Sequence, residues 1–186
     1  MRVLFHVCCG PCFARAGSLL REEGHEVVAF WYNPNVQPFK EFEARLGAFE
    51  EVCRAEDFPA IVDDTYDPER WFREALEADN RCEACFRDRL SATASLAAEE
   101  GFDAFTTTLL ASPYQDHELA RGLGEEAAEV AGVTFLYRDF RDHWKESRKR
   151  TFELEVYRQK YCGCILSERD RFLGEPPVDG AQNGVD

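Results

Sequence analysis

The sequence predicts an α/β protein: a parallel sheet with helices on both faces, carrying a metal site at the carboxyl edge of the sheet. Three observations predict it. Short apolar runs alternate with stretches of helical periodicity along the 186 residues, the order that a parallel sheet with crossover helices requires. Turn-forming residues close several of the apolar runs. Finally, cysteines gather in three places: HVCCGPC at residues 6–12, CEAC at 82–85 and CGC at 162–164. The first lies directly behind an apolar run, and loops behind strand carboxyl ends line the ligand crevice of open α/β sheets.

Taken in order, residues 3–7 form a buried strand closed by Gly10-Pro11. A helix over 11–23 follows, with Pro in its first turn and Gly24 past its end. Cysteines between a strand end and a helix N-terminus meet backbone N–H donors and the positive end of the helix dipole, which favour thiolate. A second strand over 27–32 runs into Asn33-Pro34-Asn35-Val36-Gln37-Pro38. The prolines exclude regular structure, and the three amides, Asn33, Asn35 and Gln37, make this a candidate binding loop. A helix over 39–56 places Cys53 on its packed face with Phe42, Leu46 and Phe49, as an inert buried thiol. A short strand over 59–62 precedes a helix opened by Asp67-Pro68 and carrying Trp71, Phe72 and Leu76. The next helix begins at Arg81-Cys82 and continues to Gly101. Residues 105–110 read as a strand whose end offers hydroxyls at Thr108 and Ser112, either strand and turn chemistry or substrate contacts. A helix over 117–131, a fifth strand over 133–137 and a helix over 152–157 that continues into the last cysteine cluster complete one domain, residues 1–172. Residues 173–186 have the composition of a disordered tail.

No apolar run approaches the roughly 18 residues of a membrane span, and the N-terminus lacks signal-peptide regions. The expectation is a cytosolic protein with no membrane partner. In a reducing compartment, clustered cysteines serve metal binding or redox chemistry more often than structural disulfides. The C-x-x-C alone fits zinc, iron–sulfur or thioredoxin-like use. Seven clustered cysteines exceed one structural zinc site, whereas an iron–sulfur cluster takes up to four thiolates and leaves ligands for a second metal. Cys8 and Cys9 are adjacent, so in a regular strand or helix their side chains diverge toward different metals, and Cys12 could share a face with either. Cys162 and Cys164 could point to one side of an extended segment. The net charge of −14 argues against a general nucleic-acid binder. Yet eight Lys and Arg stand against five acids between residues 138 and 160, beside the last cluster. This is either a solvated face or a phosphate contact surface.

The motifs HVCCGPC, YNPNVQP, RCEAC, TTTLLASP and YRQKYCGC, in this order, resemble the QueH family of epoxyqueuosine reductases over residues 3–172. The resemblance implies reduction of the epoxide of epoxyqueuosine, at the wobble position of tRNA, to the alkene of queuosine. It implies a [4Fe–4S] cluster and an adjacent mononuclear metal ion, expected to be iron, and a fold related to adenine-nucleotide α-hydrolases. The ligand set it implies is drawn from Cys8, Cys9, Cys12, Cys82, Cys85, Cys162 and Cys164. Family members vary at the position of Cys12, some having Asp. Where PP-loop relatives carry a Gly/Ser-rich pyrophosphate loop, this chain has CCGPC. The reaction needs two electrons, two protons and loss of water, hence an electron donor that the sequence does not identify. Tyr157 and Tyr161 are candidate proton donors by their nearness to Cys162. Arg150 and Arg158 are candidates for tRNA phosphates, and Asn33, Asn35, Thr108 and Ser112 for other substrate contacts. A thiol–disulfide or heterodisulfide reductase would explain the cysteines but not the Asn/Pro loop. A structural zinc module or a tRNA sulfur-transferase of the PP-loop kind explains less.

Overall fold

The computed structural model describes residues 1–174. Its centre is β1 (Arg2–His6), with Val3, Leu4 and Phe5 fully buried. Parallel strands flank it on both sides: β2 (Glu26–Tyr32), then β3 (Ala60–Asp63), and on the other side β4 (Ala104–Thr107), then β5 (Thr134–Phe135). The sheet order is β3-β2-β1-β4-β5. A strand buried from above and below has no polar face, which is why residues 3–7 show no alternation.

Right-handed crossovers dictate where the helices go. The chain moves outward from β1 to β3 through α1 (Gly10–Glu22) and α2 (Phe39–Ala55), which pack together. It returns to β4 through α3 (Pro68–Glu77) and α4 (Arg81–Glu99), then reaches β5 through α5 (His117–Ala131), with α4 packed on α3 and α5. Reversing direction puts the second group on the opposite face. A sixth helix, α6 (Trp144–Glu153), lies along α1, and α7 (Ile165–Leu173) ends the described chain. The strand order changes direction between β1 and β4, so the crevice of this sheet opens at their carboxyl ends. Cys8 and Thr108 stand there, joined by a 2.8 Å hydrogen bond from the Cys8 amide to the Thr108 hydroxyl.

Four expectations need correction. The strand over 105–110 stops at Thr107, whose hydroxyl accepts from the Leu109 amide (3.1 Å) and starts a single 3-10 turn, Thr108–Leu110. The fifth strand keeps two residues, Thr134–Phe135. The helix expected from 152 into the last cysteine cluster ends at Glu153, and Glu155 takes a left-handed backbone (φ 54). The chain onward to Cys164 is irregular, and α7 then begins, a helix absent from the sequence reading. Leu173 closes that helix, and the tail expected beyond it falls outside the described residues from 175.

Phe5 anchors the core, its ring 5.2 Å from Phe13 in an edge arrangement and 5.5 Å from Phe140. Phe5→Ala is expected to cost about 3–5 kcal/mol. At roughly 2–4 °C per kcal/mol for a chain of this size, thermal unfolding should report a fall of about 6–20 °C.

Candidate metal centres

The seven clustered cysteines fall into two groups. Cys8, Cys9 and Cys12 form a trio whose sulfurs all lie within 4.8 Å of one another. Cys82, Cys85, Cys162 and Cys164 line a single cavity, together with Asn35, Tyr114 and Gln115. The eighth cysteine, Cys53, is buried in the core, where loss of hydration pushes its thiol up to about 12. It stays a protonated, inert group, as its helical position suggested.

Helix ends explain why these residues gather. Cys9 is the N-cap of α1 and its sulfur accepts from the Cys12 amide (3.3 Å). Cys164 caps α7 in the same way, accepting from the Ser167 amide (3.3 Å). Cys82 and Cys85 lie in the first turns of α4, behind the N-cap Asn80. Three positive dipole ends thus face sulfur, an arrangement that favours thiolate and hence metal ligation.

In the trio, the adjacent Cys8 and Cys9 converge, contrary to the expected divergence. Their sulfurs are 4.0 Å apart, and Cys9 and Cys12 are 2.6 Å apart. Divergence presumes a regular backbone, but Cys8 is a bend between strand and helix, so the two-residue alternation does not apply. Two sulfurs bound to one tetrahedral metal at about 2.3 Å stand roughly 3.8 Å apart, so Cys8 and Cys9 already suit one ion. Hydrogen bonds from Cys12 and Cys9, with a further one from the Thr108 hydroxyl (3.1 Å), hold the Cys8 thiol well below its ordinary range. Burial pushes Cys9 up, while the Cys12 thiol is raised by its contacts with Cys8 and Cys9 and by burial. Cys8 is thus the sulfur of the trio most disposed to ionise, and the Gln159 amide donates to Cys9 at 2.8 Å. A cation would let the other two thiols deprotonate.

In the quartet, burial raises Cys82 to about 11 and Cys85 to about 12, and neighbouring thiols add to both. Cys162 is exposed as a residue, but its sulfur sits within the cavity wall, and that desolvation, then Cys164, raises it too. Four thiols share one cavity, and burial with neighbouring thiols disfavours ionisation of Cys82, Cys85 and Cys162, a condition that cationic iron would relieve. The residues present therefore fit an iron–sulfur cluster held by four thiolates.

The Asn/Pro loop braces this set. The Gln37 amide donates to the Gly163 carbonyl (2.9 Å), its side chain accepts from the Ile165 amide (3.3 Å), and its own carbonyl accepts from the Tyr161 hydroxyl (2.7 Å). Arg45, buried and paired with Glu41 at 2.7 Å, donates to the carbonyls of Cys162 (2.8 Å) and Tyr161 (2.9 Å). The buried pair Arg81 and Asp170 (2.7 Å) ties the start of α4 to α7. Burial would raise the Asp170 carboxyl, but Arg81 and Arg169 outweigh it and hold it below its usual range.

The other candidates are spread more widely. Asn33 donates to the Val7 carbonyl (2.9 Å) from a buried position, and Asn35 reaches the quartet cavity, its buried Oδ1 without a hydrogen-bond partner among the described residues. Thr108 is spent on Cys8, and Ser112 accepts from the Tyr114 amide (3.3 Å). Tyr161 is buried on Gln37, whereas Tyr157 is exposed with its hydroxyl donating to Glu41 (2.5 Å). Arg150 pairs with Glu56 and Glu153, and Arg158 lies 3.5 Å over the Phe152 ring. Arg45, Gln115 and Gln159 are residues around the candidate site that sequence reasoning missed, and only Gln159, inside a quoted motif, carried any signal.

The family model for epoxyqueuosine reductase QueH matches residues 3–170. An epoxyqueuosine reductase QueH from Dehalococcoides mccartyi is 39% identical over 176 residues, covering 94% of this chain and 96% of the relative. Another, from Thermotoga maritima, is 35% identical over 181 residues and covers 91% of each chain. Among solved structures, a predicted subunit of tRNA methyltransferase from Methanocaldococcus jannaschii superposes with a TM-score of 0.59 at 13% identity. It covers 94% of this chain and 87% of that one. This last likeness speaks for the fold alone.

Proposed function

Since this chain belongs to the epoxyqueuosine reductase QueH family, and is therefore an oxidoreductase, we propose that it completes queuosine formation by reducing epoxyqueuosine at the wobble position of tRNA. The observation that carries the reading is the division of seven cysteines into a cavity-lining quartet and a tight trio. Cys82, Cys85, Cys162 and Cys164 would hold a [4Fe–4S] cluster, and Cys8, Cys9 and Cys12 a single metal ion, iron in our reading. When bound, these groups supply electrons one at a time and a Lewis acid for the epoxide oxygen. Both C–O bonds break, the oxygen leaves as water and a double bond forms between the two carbons, with two electrons and two protons consumed.

The chain's own residues do the rest. Gln159 and Gln115 direct amide donors at Cys9 (2.8 Å) and Cys162 (3.5 Å), which stabilises thiolate. Asn35, at the cavity wall, and the exposed Cys162 mark the side from which substrate approaches. Of the two tyrosines we assign proton donation to Tyr157, because it is exposed, with its hydroxyl on the Glu41 carboxylate, whereas Tyr161 is buried on the Gln37 carbonyl. Burial and then Glu41 raise Tyr157 to about 12, so it is protonated at neutral pH and still more acidic than an alkoxide's conjugate acid. The exposed Lys145, Lys149, Arg158 and Lys160, with Arg148 and Arg150, would meet tRNA phosphates on an otherwise acidic protein. Among the described residues no helix is long and apolar enough to cross a membrane. We place the enzyme in the cytoplasm with its tRNA substrate, served by a separate electron donor.

The test is anaerobic purification with iron, zinc and acid-labile sulfide assayed on one sample, then incubation with a chemical reductant and tRNA carrying epoxyqueuosine. About four sulfides and four to five irons per chain, and queuosine in the digested tRNA, are expected. Zinc alone without sulfide, even after anaerobic reconstitution, would sink the reading.

A further inference from the structure

Arg89 is a buried cation that the site described so far does not employ. It projects from α4 one turn after Cys85 and is 2% exposed. Its Nε donates to the Cys85 carbonyl (3.1 Å), and its guanidinium carbon lies 5.4 Å from the centre of the Phe86 ring. Its Nη2 is buried and has no hydrogen-bond partner among the described residues. The comparison with Arg45, the other fully buried arginine, is direct. Arg45 has a carboxylate at 2.7 Å and two backbone carbonyls. Asp88, next to Arg89 in sequence, is engaged by Arg70 (3.1 Å) and by Tyr32 (3.3 Å) instead.

A desolvated guanidinium is costly unless anionic charge compensates it. The groups whose charge bears on Arg89 are cysteines from both candidate metal sites and, after them, Asp88. Burial alone would lower its pKa, but Cys85, then Cys162, then Cys8 outweigh that and hold it above its ordinary value. Arg89, buried one turn beyond Cys85 with its Nη2 unpartnered among the described residues, is therefore a fixed positive charge within electrostatic reach of cysteines from both groups.

We propose that Arg89 is a positioning residue for the electrons: its charge offsets the thiolates of both centres and holds the reduction potential of the cluster up. The inference rests on the cluster assignment made above. Its physical basis is general. Reduction adds one negative charge to a centre that is already anionic, and a desolvated cation beside it favours the reduced form, because net charge and hydrogen bonding set the potential of such clusters. Without that cation, the donor would have to supply electrons at a lower potential for the same fraction of reduced cluster.

Redox titration of the anaerobically purified holoenzyme, followed by electron paramagnetic resonance, tests this on Arg89→Met and Arg89→Lys, with iron and sulfide measured on each. The expected result is full iron and sulfide in both variants, a midpoint potential more negative than the parent's in Arg89→Met, and a parental midpoint in Arg89→Lys. A fully loaded Arg89→Met with the parental midpoint overturns the proposal. Should Arg89→Met fail to load, Arg89→Lys decides. A loaded Lys variant at the parental midpoint supports a role for charge, while a Lys variant that is empty or shifted overturns it. Parent protein devoid of iron and sulfide would instead sink the cluster assignment, which keeps the two failures apart.

Discussion

Cys162→Ala is expected to strip the cluster from the protein, with acid-labile sulfide near zero and turnover reduced by more than about 100-fold. Cys162 lies at the solvent side of the quartet, on a loop held by Arg45 and Gln37 rather than inside a helix. Its removal leaves three thiols on the cavity wall without disturbing α4 or the core, so the loss reports ligation and not unfolding. Cys82→Ala should behave alike. Cys9→Ala gives the contrast. Its sulfur belongs to the trio, 2.6 Å from that of Cys12, so sulfide should remain near the parental value while iron falls by about one atom per chain. Cys53→Ala is the control, a buried core thiol outside both groups that should keep parental iron and sulfide. Parental sulfide in Cys162→Ala would break the four-plus-three division. Equal losses of sulfide in Cys9→Ala and Cys162→Ala would mean that all seven cysteines serve one centre.

The legible part of this protein is the part governed by local chemistry. The first strand is a run with no polar face, and α5 was expected over the same residues, 117–131, that it occupies, between the N-cap Asp116 and Gly132. The placement of cysteines behind β1 follows from the same rules, since a strand end meeting a helix start brings amides and a dipole to one point. What was not legible depends on partners far apart in sequence. The segment before Cys162 lost its expected helix because its carbonyls at Tyr161 and Cys162 are taken by Arg45, more than 100 residues upstream. The Asn/Pro loop read as a ligand loop from its amides, yet Gln37 spends its polar groups bracing Gly163, Ile165 and Tyr161. The spacing of Arg89 on α4 is that of any helical arginine. Only the fold reveals that it is buried beside Cys85 with its Nη2 unpartnered among the described residues. The convergence of Cys8 and Cys9 was missed because the inference assumed a regular backbone at the one bend where the site forms.

Gly163→Ala should damage the cluster site without removing a ligand. Gly163 has φ +152, a backbone region that L side chains rarely adopt. A Cβ built there would stand 2.8 Å from the Asn35 side-chain nitrogen, 3.2 Å from Val36 and 3.3 Å from Arg45. These neighbours cannot retreat freely. Asn35 is buried at the cavity wall, and Arg45 is fixed by Glu41 and by the carbonyls on either side of the Tyr161–Cys162 peptide. The loop itself must give way, and it carries Cys162 and Cys164, two of the four thiols proposed to hold the cluster. Backbone strain of roughly 1–3 kcal/mol implies a melting temperature lower by about 2–12 °C. Because the displaced atoms include those that hold Cys162 and Cys164, iron and sulfide should fall by more than stability alone would suggest. Gly132→Ala separates the two effects. Gly132 is also at positive φ (+69), but nothing lies within 4 Å of its added Cβ, and it caps α5 on the chain between α5 and β5. It should lose about 1 kcal/mol and keep its full complement of iron. If Gly163→Ala keeps parental iron and sulfide after anaerobic reconstitution, the CGC loop tolerates movement, and the close fit of the Asn/Pro loop against it does not position the ligands.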